Sequence, residues 1–298
     1  MRHAILGAGG VGGLVGAALA RAGADVVLLL RPETLARHPA RLHVESAALG
    51  VFDVDLATAS GLDREVDALW LTVKAPSLEA ALALAPAERV DEAVVVPLLN
   101  GVDHVAVLRA RYARVLAGAF RGETERVEPG VVVQKWQLAR VDLAPGPRRD
   151  EIADEVRATG LDVAYAADDA TLLWAKLAFL APLALTTTAR GAPVGTVQDE
   201  REWKERLMGC HDEAVAVGLA EGASLDATAL RLAMDFSGGE LRTSMQKDFD
   251  AGRPLELDAI GGPIVRGGLA HGIATATTDE LLRLVEARLS ERETRVTV

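Results

Sequence analysis

A four-residue apolar run, His3-Ala4-Ile5-Leu6, opens into Gly7-Ala8-Gly9-Gly10-Val11-Gly12. Beyond these glycines Val11, Leu14, Val15, Ala18 and Leu19 recur at the spacing of a helix with one buried face. Gly23 closes that helix, and Asp25-Val26-Val27-Leu28-Leu29-Leu30 reads as a second buried strand. Leu42-His43-Val44 and Val51-Phe52-Asp53-Val54 read as a hairpin. Asp67 to Val73 is a buried strand ending at Lys74, and Ala93 to Leu99 is another, ending at Asn100-Gly101. Shorter strands are expected near Val115-Leu116, Val131-Val132-Val133 and Leu161-Asp162-Val163. The alternation of strands and helices predicts an α/β fold with a mostly parallel, doubly wound sheet.

From Asp168 onward the pattern becomes helical. Asp168-Asp169-Ala170 has the acidic character of a helix start. Thr171 to Ala189 is rich in Leu and Ala but carries Lys176 and Pro182 and is followed by Arg190, which marks a buried core helix rather than a membrane span. Glu200 to Glu221, Leu225 to Asp235 and Thr278 to Ser290 continue the helical periodicity, and the charged run Asp199 to Arg206 reads as a solvated helix face. The change of pattern divides the chain into residues 1–166 and 167–298, the second part all-helical.

A glycine-rich turn between a strand and a helix has a specific use. The first glycine permits the tight turn, the second lets the backbone approach a pyrophosphate, and the third lets the helix pack close to the sheet. The free N–H groups at the helix start then receive the anion. Gly7, Ala8, Gly9, Gly10, Val11 and Gly12 are therefore candidates to bind a dinucleotide. A dinucleotide with a free ribose 2′-hydroxyl usually meets an Asp or Glu at the end of the second strand. Here that place holds Leu30 and Arg31. An Arg fork suits a 2′-phosphate, which selects NADP (NADPH). The alternative is a solvated Arg31, with Glu33 serving the ribose. Ligands of doubly wound sheets bind beyond the carboxyl ends of the strands. Gly7, Arg31, Lys74 and Asn100 each follow such an end, so four segments are expected to converge on one crevice.

Composition narrows the partners. Half of the 298 residues are apolar, as in a globular protein, and the net charge of −11 argues against nucleic acid or an anionic membrane. The single Cys210 cannot form an internal disulfide and fits a reducing cytoplasm. Cys210 reads as a core filler and its neighbour His211 as structural, since no nucleophile or metal-ligand spacing accompanies them. No metal site is expected, and the apolar N-terminus reads as strand and turn rather than a signal peptide.

Three patches in the second half carry candidate chemistry: Trp174-Ala175-Lys176-Leu177, Ser244-Met245-Gln246-Lys247-Asp248, and Arg253-Pro254-Leu255-Glu256-Leu257-Asp258. A lysine in an apolar helix is made a usable proton donor by desolvation. Glu256 would orient its ammonium, and Ser244 would hold a substrate carboxylate. Each also has a plainer reading: a snorkelling lysine, a helix-capping serine, a Glu paired with Arg253 at the surface.

At these patches, at the glycine turn, at Arg31, at Thr72-Val73-Lys74 and at Asn100-Gly101, the chain resembles the ketopantoate reductase (2-dehydropantoate 2-reductase) family over nearly its whole length. The resemblance implies an N-terminal Rossmann domain and a helical substrate and dimerisation domain, with NADPH and a 2-oxo acid meeting between them. It implies reduction of ketopantoate to pantoate, a step of pantothenate biosynthesis. Lys176 would protonate the ketone oxygen, Lys74 and Asn100 would lie near cofactor and substrate, and Glu256 and Ser244 would complete the site. A homodimer is the assembly it allows. One departure is specific. The family usually carries Asn four and eight residues after the catalytic Lys, whereas this chain has Leu180 and Ala184. That change favours a substrate with an apolar tail, unless Thr186, Thr187 or Thr188 supplies the missing polar contacts. Two further readings stand beside ketopantoate reduction: a related reductase of another 2-oxo acid, and a catalytically silent NADP-binding protein.

Overall fold

Twelve strands form among the described residues of the computed structural model, which covers the backbone of residues 1–297 and the side chains of residues 1–294. They are β1 (Arg2–Leu6), β2 (Asp25–Leu29), β3 (Arg41–Ser46), β4 (Gly50–Asp55), β5 (Ala57–Ala59), β6 (Ala68–Leu71), β7 (Val94–Pro97), β8 (Gly118–Arg121), β9 (Thr124–Glu128), β10 (Val131–Gln134), β11 (Arg140–Leu143) and β12 (Asp162–Tyr165). The unbroken apolar runs become one parallel sheet in the order β5-β2-β1-β6-β7. β1 lies at its centre, with Leu6 opposite both Leu29 and Leu71. Alternate side chains enter opposite cores, as the pleat requires. Ile5, Leu28, Trp70 and Val96 pack on one face with Leu14 and Ala18 of the helix Gly10–Arg21. Leu6, Leu29, Leu71 and Val95 pack on the other with Leu78, Leu82 and Leu108. Burial on both faces is why these strands read as continuous apolar runs.

This is the expected parallel sheet, and the remaining strands form two smaller sheets beside it. β4-β3-β10-β9 form a second sheet, built on the predicted β3–β4 hairpin, and β12-β11-β8 form a third. Both contain antiparallel pairs. Val115 makes only an isolated bridge to Val95, and the strand expected there begins at Gly118. β9 and β11 escape the periodicity because they carry charge. In β11 the buried Asp142 lies between Arg121 and Arg140, whose Nε atoms approach its carboxylate at 3.0 and 2.5 Å.

The chain falls into two compact units, one of Met1–Leu99 with His104–Leu172, the other of Asn100–Asp103 with the chain from Leu173 onward. The helix Asp169–Arg190 begins with Thr171 N–H donating to the Asp168 carboxylate at 2.6 Å. It is long and apolar enough to cross a membrane by length and composition, yet 67 % of its most apolar window is buried inside the protein. Pro182 within it has no N–H for the carbonyl of Ala178 four residues back. The buried His211, on the helix Arg201–Ala220, supplies that bond through Nδ1 at 3.2 Å. His211 is therefore structural, and so is the buried Cys210, whose thiol burial pushes up to about 12. The charged run Asp199 to Arg206 is only partly a solvated face. Arg201 pairs with Glu205 along the helix, while Arg190 reaches Glu200 and Arg206 reaches Glu280, tying this helix to two others.

Candidate functional site

In the first unit the glycine turn leaves β1 at Gly7, whose φ of +109° lies in the region that favours glycine. Gly9 stands at the start of the helix Gly10–Arg21 in extended conformation, and no side chain caps that end. A Cβ on Gly9 would meet nothing within 4 Å, so its backbone faces open space. A Cβ on Gly12 would instead strike the Gly7 carbonyl oxygen and the Thr72 hydroxyl, so only glycine allows this close packing. Thr72 Oγ1 donates to the carbonyl of Gly7 at 2.7 Å and also lies 3.1 Å from that of Leu6, stapling the turn to the end of β6. Ala8 is buried, Val11 packs against the core below, and Gly10 lies against Thr124 of β9. The first turn of the helix carries no acidic residue. Uncapped N–H groups, an open approach and no repelling carboxylate fit the pyrophosphate of a dinucleotide.

Arg31 and Lys74 follow the ends of β2 and β6, the strands on either side of β1. Arg31 is 62 % exposed, and its Nε lies 3.3 Å from Glu33. The two residues weighed for the ribose are thus paired with each other. An exposed pair of this kind is weak, so a phosphate can replace the carboxylate at the guanidinium. Lys74 is exposed at the start of the short turn Ala75–Ser77.

The second unit collects the other candidates. Asn100 follows β7 in sequence and clusters with this unit. Its Nδ2 donates to Glu256 Oε2 at 3.0 Å. Glu256 is only 7 % exposed and stands just before the helix Leu257–Ile260. It is not half of a surface pair with Arg253, because Arg253 bonds the buried Asp248 at 2.8 Å. Lys176 is half-buried on the helix Asp169–Arg190. Ser244 is the exposed first residue of the helix Ser244–Asp250, and the capping role falls to Thr243, which accepts from Gln246 N–H. Thr243 also bonds Thr187 through their hydroxyls at 2.9 Å, joining the Ser244 helix to the Lys176 helix.

One and two turns past Lys176, Leu180 is half-buried and Ala184 is buried. Of the three threonines that could replace the absent amides, Thr188 has a buried hydroxyl with no hydrogen-bond partner among the described residues, whereas Thr186 and Thr187 are committed internally. Both of the latter are buried, and their hydroxyls donate to the carbonyls of Pro182 and Leu183 at 2.6 and 2.7 Å. Sequence reasoning named Thr72 only as part of the Thr72-Val73-Lys74 strand end, without its role in the turn, and missed Thr243. A threonine closing an apolar strand, and one directly before a candidate serine, were the available signals.

Comparison with known proteins matches both parts of the chain. The family described as "Ketopantoate reductase PanE/ApbA" covers residues 3–147, and "Ketopantoate reductase PanE/ApbA C terminal" covers residues 170–289. A 2-dehydropantoate 2-reductase of Caulobacter vibrioides is 29 % identical over 95 % of this chain and 98 % of its own. A PanE/ApbA family ketopantoate reductase of Ralstonia eutropha superposes with a TM-score of 0.87 at 26 % identity, covering 98 % of this chain and 100 % of that one. D-mandelate dehydrogenase, solved with NADH and anilino(oxo)acetate, superposes equally well, with a TM-score of 0.87 at 22 % identity over 98 % of this chain and 99 % of that one. At that identity the likeness speaks for the fold alone.

Proposed function

The chain belongs to the ketopantoate reductase family, oxidoreductases acting on a CH–OH group, and we propose that it reduces a small 2-oxo acid to the 2-hydroxy acid with NADPH in the cytoplasm. We read residues 1–166 as the dinucleotide domain and 167–298 as the helical substrate domain. The observation that carries the reading is the buried Glu256 held by Asn100, in the same unit as Lys176 and Ser244. A bound nicotinamide supplies the hydride. The glycine turn, through backbone N–H groups, holds the pyrophosphate, and Arg31 holds the 2′-phosphate. Lys176 gives its Nζ proton to the carbonyl oxygen as negative charge gathers there. Glu256 keeps that ammonium in place, Asn100 orients Glu256, and the Ser244 hydroxyl donates to the substrate carboxylate.

Ketopantoate is the substrate the family relation favours. A second reading, a 2-oxo acid with a plain alkyl or aryl tail, is favoured by Leu180 and Ala184 and by the internal commitment of the Thr186 and Thr187 hydroxyls. A pocket with amides removed no longer rejects a tail lacking a hydroxyl. Measuring kcat/KM for ketopantoate against unhydroxylated 2-oxo acids decides. A preference for ketopantoate, above about 10⁴ M⁻¹s⁻¹, establishes the first reading, and a preference for the apolar tails establishes the second. If none of the 2-oxo acids supports NADPH oxidation, both readings fall and a silent dinucleotide binder is left.

A further inference from the structure

Asn100 and Glu256 are 156 positions apart in sequence, and their bond at 3.0 Å depends on two short segments being held against each other. The first is Asn100–Asp103, the second Glu256–Asp258 with the start of the helix behind it; both belong to the second unit. Gly101, at φ +86°, sits so close to this helix that a Cβ would press into the Ala259 carbonyl oxygen. The approach brings two exposed carboxylates, Asp103 and Asp258, to the same place. Arg266, on the helix Gly262–His271, stands between them. Its Nη2 donates to Asp103 at 2.5 Å and its Nη1 to Asp258 at 2.6 Å. Each segment therefore ends in a carboxylate gripped by one nitrogen of the same planar fork. The room for this grip is kept by Gly262, where a Cβ would lie 2.5 Å from both Arg266 Nη1 and Asp258 Oδ1.

We propose that Arg266 is a positioning residue for the reaction: by bridging Asp103 and Asp258 it holds Asn100 against Glu256. Arg266 is half exposed, and exposed ion pairs add little to folding stability. What the bridge supplies is register. It replaces the mutual repulsion of Asp103 and Asp258 with a shared cation, at the two ends of the segments whose relative placement sets the Asn100–Glu256 bond.

The proposal rests on the reductase reading only for its kinetic arm. With the full-length protein, Arg266→Ala should lower kcat/KM for the 2-oxo acid about 10-fold and leave the KM for NADPH unchanged. In an Asn100→Ala background the same substitution should cost less than about 2-fold, because the group it positions is gone. Any loss of Tm should be the same in both backgrounds. Arg266→Lys, which keeps a cation able to reach both carboxylates, should restore activity to within about 3-fold of wild type. Gly262→Ala, which displaces the fork without removing a charge, should reproduce the loss. An equal fold-loss with and without Asn100, or no loss in Arg266→Ala, overturns the proposal. Hydrogen exchange supplies an arm independent of substrate: the amides of residues 100–103 should exchange faster in Arg266→Ala. If the wild-type protein reduces no 2-oxo acid, the reductase reading falls, and unchanged exchange in this segment would overturn the positioning role as well.

Discussion

In the first unit the residues proposed to meet a dinucleotide are placed by the main chain. Gly7 turns at positive φ, Gly9 leaves the helix end open, and Gly12 fits under the Gly7 carbonyl with no room for a methyl group. In the second unit the candidate groups are side chains on four separate segments. Asn100, Lys176, Ser244 and Glu256 are held by tertiary bonds: Asn100 to Glu256, Thr187 to Thr243, Arg266 to Asp103 and Asp258. The two arrangements tolerate change differently. A backbone cradle fails when any side chain enters it, so one glycine pattern serves many substrates. A side-chain site can exchange two amides for Leu180 and Ala184 and still keep its Lys, Ser and Glu. On the proposed reading, reaction type and substrate tail are separable in the second unit, whereas ligand class and fold are inseparable in the first.

The sharpest way to break this division is Lys176→Ala. If proton donation resides in the second unit alone, kcat should fall about 10²–10⁴-fold while NADPH affinity stays within error. The acid limb of the pH–rate profile should also vanish. Wild-type turnover in the variant would mean that another group donates the proton. A parallel loss of NADPH affinity, read by fluorescence titration, would mean that the units do not divide the work in this way.

A smaller effect is expected at the edge of the first unit. If Arg31 holds a 2′-phosphate as proposed, Arg31→Ala removes a charge-assisted contact worth roughly 1.5–3 kcal/mol. NADPH should therefore bind about 10–10²-fold more weakly, NADH nearly as before, and kcat at saturating NADPH should hold. Equal weakening of both dinucleotides, or a wild-type preference for NADH, would return the ribose to Glu33, the partner of Arg31 in this structure.

The same contrast explains what could be read in advance. β1, the glycine turn, the helix Gly10–Arg21 and β2 were legible because periodicity and glycine placement are local signals. β9 and β11 were not, since Glu125, Arg126 and Asp142 interrupt the apolar pattern and Asp142 is neutralised by Arg121 across the sheet. At the second unit's site the residue types were legible and their partners were not. Arg253, three positions from Glu256, looked like its partner, yet it turns to Asp248 and leaves Glu256 to Asn100. Ser244 looked like a cap, yet Thr243 beside it caps the helix. The role of His211 depended on Pro182, 29 positions earlier, having left a carbonyl without a donor. Local patterns specify elements, while contacts between distant segments specify which charge meets which.

The mildest test uses pH and addresses the first unit through a group its chemistry does not employ. His3 is fully buried beneath the parallel sheet's Trp70, whose indole N–H donates to His3 Nδ1 at 3.1 Å. Nδ1 is therefore the unprotonated nitrogen, and Nε2 donates to Glu155 at 3.1 Å. Burial lowers the His3 pKa below its ordinary 6.5, outweighing the opposing pull of Glu155 and Asp67, while the nearby N-terminal ammonium adds to the lowering. A second proton would also set an Nδ1–H against the Trp70 N–H. The unfolded chain thus binds more protons than the native one below pH 6.5, so stability rises with pH across that window. The contribution is intact above pH 6.5 and is lost progressively as the pH falls toward the lowered native value. His3→Gln, which cannot titrate, should melt below wild type at pH 7.5, and the gap should narrow as the buffer is taken to pH 5. For a unit of this size each kcal/mol corresponds to about 2–4 °C in Tm. The fluorescence of Trp70, with Trp136, Trp174 and Trp203 replaced by Phe, confines the reading to the first unit. A gap that stays constant with pH would show that His3 does not titrate on unfolding and that its bond to Trp70 is indifferent to acid.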